Sequence, residues 1–125
     1  MRFLIFLLCI FITPSCNPNS LEEYQEEGNE IVEKLIGEFQ SIQNRQQLVE
    51  ASPRLTHLFD ELADLMMEAD RFRKLHPELD PVDPTPNSLL LSRSLREEME
   101  RVYQIEGARE LVERCQEKAL FQLGK

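Results

Sequence analysis

The side chains best spaced to do chemistry are one imidazole and three carboxylates. His57, Glu61, Asp64 and Glu68 recur at i, i+4, i+7 and i+11, which lines them along a single face of a helix. Oxygen ligands with one imidazole suit a divalent cation, so His57, Glu61 and Asp64 are the nearest approach to a metal set in the chain. The same residues serve equally as a solvated face, with Asp64 and Glu68 near Arg71. That plainer reading is the expectation, and no metal is assigned. A di-metal helical bundle needs a glutamate three residues before its histidines; His57 and His76 have Arg54 and Arg73 there. The Asp80/Asp83 stretch lacks the glycine and the spacing of a calcium loop. Cys115 lies among Leu111, Val112 and Ala119 at helical spacing, which suits a buried thiol better than a nucleophile paired with His57 or His76. The chain has no G-x-S-x-G, no H-E-x-x-H and no glycine-rich phosphate loop. With 23 acidic residues, any chosen carboxylate pair is uninformative. The expectation is a protein that is not an enzyme and has no dissociable cofactor.

Those residues need elements to position them. A chain of 125 residues is long enough for one small domain. The net charge of -9 argues against a nucleic-acid partner and against a basic face resting on anionic lipid. Ser20-x-x-Glu23 reads as a capping box, followed by an apolar stripe that includes Tyr24, Ile31, Leu35 and Phe39. Gly28 falls within that stripe, and its cost of about 1 kcal/mol in a helix points to close approach of a neighbour. Gly37 falls on the wet side. Asn44 with Gln47 starts a short turn of helix through Leu48 and Val49. Ser52-Pro53 is the stronger start, a capping residue with proline at the first helical position. It opens a helix over Pro53 to Leu75 with Leu55, Leu58, Phe59, Leu62, Leu65 and Met66 on one face. Met67 and Leu75 lie off that face and suggest a second contact surface.

His76 to Asn87 holds four prolines and reads as a loop, with Pro81, Pro84 and Pro86 able to present an extended segment. The last helical region begins at Ser88 or at the Ser94-x-x-Glu97 box and runs to Leu123. Leu89-Leu90-Leu91 gives it more apolar surface than one helix face can bury. Its two apolar stripes, Leu91 to Ile105 and Ala108 to Leu123, are rotated by roughly 100°, with Gly107 at the switch, so a kink or break is expected there. No segment alternates with period two. The expected fold is all-α: a small antiparallel bundle of three long helices, with a fourth short one as the variant.

The first sixteen residues carry a different message. Met1-Arg2 is followed by ten uninterrupted apolar residues, Phe3 to Ile12, and then by Thr13-Pro14-Ser15-Cys16. Ten helical residues rise about 15 Å, half of a bilayer's hydrocarbon core, so this is a signal-peptide length and not a transmembrane span. The stretch resembles the signal peptides of bacterial lipoproteins, which end in a small residue directly before a cysteine that becomes lipidated. That family usually has Leu and a small residue where this chain has Thr13 and Pro14. The resemblance implies a signal peptide over 1–15, cleavage after Ser15, an acyl (palmitate-type) lipid on Cys16, a linker over 16–20 and one helical domain over 21–125. It further implies export to the cell envelope, with a membrane as partner through the lipid. Asn17 after the cysteine resembles outer-membrane sorting in hosts that follow the enterobacterial rule. Ordinary signal-peptidase cleavage is the alternative, and it would leave Cys16 free to form a disulfide with Cys115. Gly124-Lys125 resembles the lysine end of small murein-linking lipoproteins, a second alternative in which Lys125 tethers the chain to the cell wall. A small-ligand or metal carrier is a third. The leading expectation is a binding, structural or adaptor component of the envelope, with a protein partner or a second copy of itself.

Overall fold

The computed structural model describes residues 20–124, and these form four helices with no strand among them. In chain order they are α1 (Leu21–Gln40), α2 (Arg45–Leu75), α3 (Pro86–Tyr103) and α4 (Ala108–Leu123). Ser20 caps α1 as its sequence requires, its hydroxyl accepting from the Glu23 N–H at 3.2 Å. The expected three long helices are thus four, and the extra one does not come from where a short helix was expected.

The correction begins at Pro53. The helix opened by Asn44, whose side chain accepts from the Gln47 N–H at 2.9 Å, does not stop after Val49. It continues through Pro53, which lies inside α2. A proline in a helix interior removes a hydrogen bond and costs about 3 kcal/mol. Continuity keeps Leu48, Ala51, Leu55 and Leu58 buried on one face, and each buried leucine contributes about 1.5–3 kcal/mol. The leucines outweigh the proline. Ser52 is accordingly not a cap: its hydroxyl turns back to donate to the Leu48 carbonyl at 2.9 Å, and Thr56 does the same to Ser52.

The second correction is the start of α3. Thr85 caps it, accepting from the Ser88 N–H at 3.1 Å, and Pro86 is its first residue. The loop therefore ends at Thr85, Leu89-Leu90-Leu91 is helical, and Ser94 lies in mid-helix. The break expected at Gly107 is present: α3 ends at Tyr103, and Gly107 takes the left-handed φ of 77° before α4.

Contacts fix the directions. Tyr24 stacks near Phe72 while Arg54 pairs with Glu38, so α1 and α2 run antiparallel. Asn29 bonds Ser88, and Arg101 reaches the ends of α1 at Phe39 and Ile42, so α3 lies beside α1 and runs with it. Ser52 meets Cys115 and Asp60 meets Lys118, so α4 lies beside α2 and runs with it. The two rotated stripes of the C-terminal region are explained by this layout, since α3 packs on α1 and α4 on α2.

The core sits at one end. Leu35, Phe39, Ile42, Leu48, Leu55, Val102 and Val112 are its largest closed side chains. Phe39 and Phe59 rings lie 6.3 Å apart at its centre. At the opposite end, where α1 begins and α2 finishes, Ala63 and Leu65 are the last buried residues and Met66 is exposed, against its expected place on the inner stripe.

Candidate functional site

The end of the molecule where α1 begins carries a depression between two helices. On α1, Leu21, Tyr24, Gly28 and Val32 fall on one face; on α2, Leu65 and Ala69 face them. Between the two helices runs an apolar cleft of about 360 Å³. The proline loop closes one side with Pro81 and Val82. Gln25 holds that loop, donating to the Asp83 carbonyl and accepting from the Thr85 N–H, both at 3.3 Å. One turn on, the Asn29 amide donates to Ser88 Oγ at 2.9 Å and ties the start of α3 to α1. Gln25 and Asn29 were not legible as site residues. They flank the apolar stripe at i and i+4, and only the return of the loop gives them partners.

Gly28 does not mark a close helix approach. A methyl group there would meet Leu65 Cδ2 at 3.8 Å, an ordinary contact, so the glycine widens the cleft floor and no neighbour demands it. At the rim, Asp70 pairs with Arg73 at 2.6 Å and with Lys74 at 2.9 Å. The hydrogen bond from Lys74, then that from Arg73, holds the Asp70 carboxyl below the usual carboxylate range. Across the loop, Glu78 is held low first by its own backbone N–H and next by His76. Polar groups at the rim with apolar walls can hold an apolar or amphipathic group. Nothing in that lining is a nucleophile beside a base.

The sequence-predicted metal line lies elsewhere. His57 pairs with Glu61 within α2, both on the outer surface, while Asp64 is exposed a turn further on. Among the described residues no group of three or more His, Cys, Asp or Glu converges on a point that could hold a metal ion. Asp60, beside this line, turns instead toward α4 and lies 3.8 Å from Lys118.

Cys115 is buried between α2 and α4, its thiol 3.6 Å from the Ser52 carbonyl. Ser15, Cys16 and Lys125 lie outside the described residues, yet the fold bears on the Cys16–Cys115 alternative. Cys115 is level with Ser52, and the start of α1 is level with Phe72. Twenty helical residues separate those levels, about 30 Å along α2. Four residues from Cys16 to Ser20 span at most about 14 Å, and a disulfide requires Cα atoms within about 7 Å. An intramolecular Cys16–Cys115 bridge would have to span more than that reach.

No protein-family model, curated protein or solved structure matches this chain. What the fold defines is therefore a class only: among the described residues, an all-α arrangement of four helices with an apolar cleft at the end where α1 begins. None of those helices is long and apolar enough to cross a membrane.

Proposed function

We propose that this chain is an exported helical lipoprotein of the bacterial envelope, held to a membrane by an acyl lipid on Cys16. Its helical body acts by binding, as a structural or adaptor component, through the cleft between α1 and α2. The observation that supports this reading is the separation of Cys115 from the start of α1. That separation argues against a Cys16–Cys115 bridge, the alternative to a lipid on Cys16, and so favours the fate its flanking sequence resembles. The cleft supports the binding half, because its walls are apolar and its polar residues are engaged in holding the loop.

Intact mass of the membrane-extracted protein, beside a Cys16→Ala variant, tests the anchor. The expected result is loss of residues 1–15 with acyl mass on Cys16, absent from the variant. An unacylated chain retaining Met1 would overturn the reading. For the cleft, Gly28→Phe should abolish capture of whatever apolar partner co-purifies, with the helical circular dichroism unchanged.

A further inference from the structure

We infer that the end of the bundle at which α1 begins is a bilayer-contacting surface, its exposed leucines resting in the membrane to which Cys16 is anchored. The inference rests on that anchoring. Leu75 is 77% exposed at the end of α2 and Leu79 is 42% exposed in the following loop. Leu89 and Leu90, near the start of α3, are 59% and 58% exposed. Tyr24 against Phe72 and Gln25 against Thr85 place all four in the half of the molecule where α1 starts. Solvated apolar side chains gathered in one region mark an interaction surface.

The chain itself selects the occupant. From Cys16 to Leu21 is five residues, at most about 18 Å, so a lipid on Cys16 keeps this end within that distance of the headgroups. The opposite end is far out of range: Val49 lies 26 residues before Leu75 in the same helix, about 39 Å away. Apolar residues held so close to a bilayer settle about 5–10 Å into its headgroup region. Charge narrows the lipid. Glu22 in the first turn of α1, with Asp80 and Asp83 in the loop, opposes an anionic surface. Asp70 already engages Arg73 and Lys74. Zwitterionic headgroups fit best.

The chain contains no tryptophan, so a single one is an unambiguous probe. Full-length protein purified from membranes, as Leu75→Trp, Leu90→Trp or Val49→Trp, is reconstituted into phosphatidylcholine vesicles with brominated acyl chains. Flotation reports the anchor, and quenching reports contact. The expected result is flotation of all three, with Leu75→Trp and Leu90→Trp quenched several-fold more than Val49→Trp. Flotation with equal, weak quenching at all three sites overturns the contact and leaves the anchor standing. Failure to float overturns the anchor and the contact together. Emission at Leu75→Trp that shifts only with rising protein concentration, without quenching, puts a second copy on this surface and overturns the bilayer assignment.

Discussion

Gly107 and Gly28 are alike in the sequence and opposite in the structure. At Gly107 the backbone is left-handed and the position of a Cβ is taken by the Arg45 guanidinium, which donates to the Glu106 carbonyl at 3.3 Å. An alanine there costs about 1–2 kcal/mol for the backbone alone, and Arg45 must also move. Gly28 is helical with ordinary space above it, so alanine removes backbone entropy at no steric cost and gains up to about 1 kcal/mol. Urea denaturation should therefore shift in opposite directions for Gly107→Ala and Gly28→Ala. The sequence identified a break at the first correctly and misread the second, because a glycine on an apolar stripe looks the same whether a helix or a cleft lies over it. Arg101 went unread altogether. Its guanidinium donates to the Phe39 carbonyl at 2.6 Å and the Ile42 carbonyl at 3.0 Å, satisfying the end of α1 from a helix some sixty residues later. Its partners on α1 are backbone atoms, and the i,i+3 pair it also makes with Glu98 within α3 does not announce them. Hydrogen bonds from a charged donor contribute about 1.5–3 kcal/mol. Arg101→Ala should lose stability on that scale, and Arg101→Lys should recover only part of it, since one ammonium cannot match the planar fork.

At the scale of elements, one local signal was right in kind and wrong in place. A capping residue followed by proline does open a helix here, at Thr85-Pro86 and not at Ser52-Pro53. What separates the two sites lies outside the dipeptide. Around Ser52 the apolar positions continue in phase on both sides, with Leu48 and Ala51 before it and Leu55 and Leu58 after. Before Thr85 there is only loop. The phase of buried residues across a proline carries the decision, and it becomes visible once α1 and α4 supply the surface they bury against. Substitutions can read the difference. Asn44→Ala should cost about 1 kcal/mol, the value of a true N-cap. Ser52→Ala should be close to neutral, because that hydroxyl only bonds back to Leu48 within an uninterrupted helix. Equal losses in thermal denaturation would mean that α2 starts twice.

Over the whole molecule, stability and the candidate site are segregated. Phe39, Leu48, Leu55, Val102 and Val112 are closed at one end, whereas Tyr24, Val32, Leu62 and Phe72 around the cleft stay partly open. Leaving one leucine half-wet forfeits on the order of 1 kcal/mol, and several do so along the cleft, so its end should open locally before the core unfolds. Hydrogen exchange should show it: amides of residues 24–32 and 66–75 exchange well over tenfold faster than those of 35–40 and 55–59. Acid should widen the gap. Asp70 and Glu78 flank the cleft and both titrate below the ordinary carboxylate range in the folded chain. A depressed folded value means that the fold is favoured above the unfolded pKa of about 4, and the contribution disappears as pH falls through the folded values. Asp70 is half-exposed and Glu78 exposed, so solvent screens both pairs and each loss is small. It falls, however, on the end with least burial to oppose it. Lowering the pH from 6 to 3 should thus raise exchange at residues 66–75 proportionally more than at 55–59 of the same helix. In Asp70→Asn, exchange at 66–75 should already be faster at pH 6 and less sensitive to acid. Uniform acceleration along α2 would instead mean that the two ends unfold as one cooperative unit.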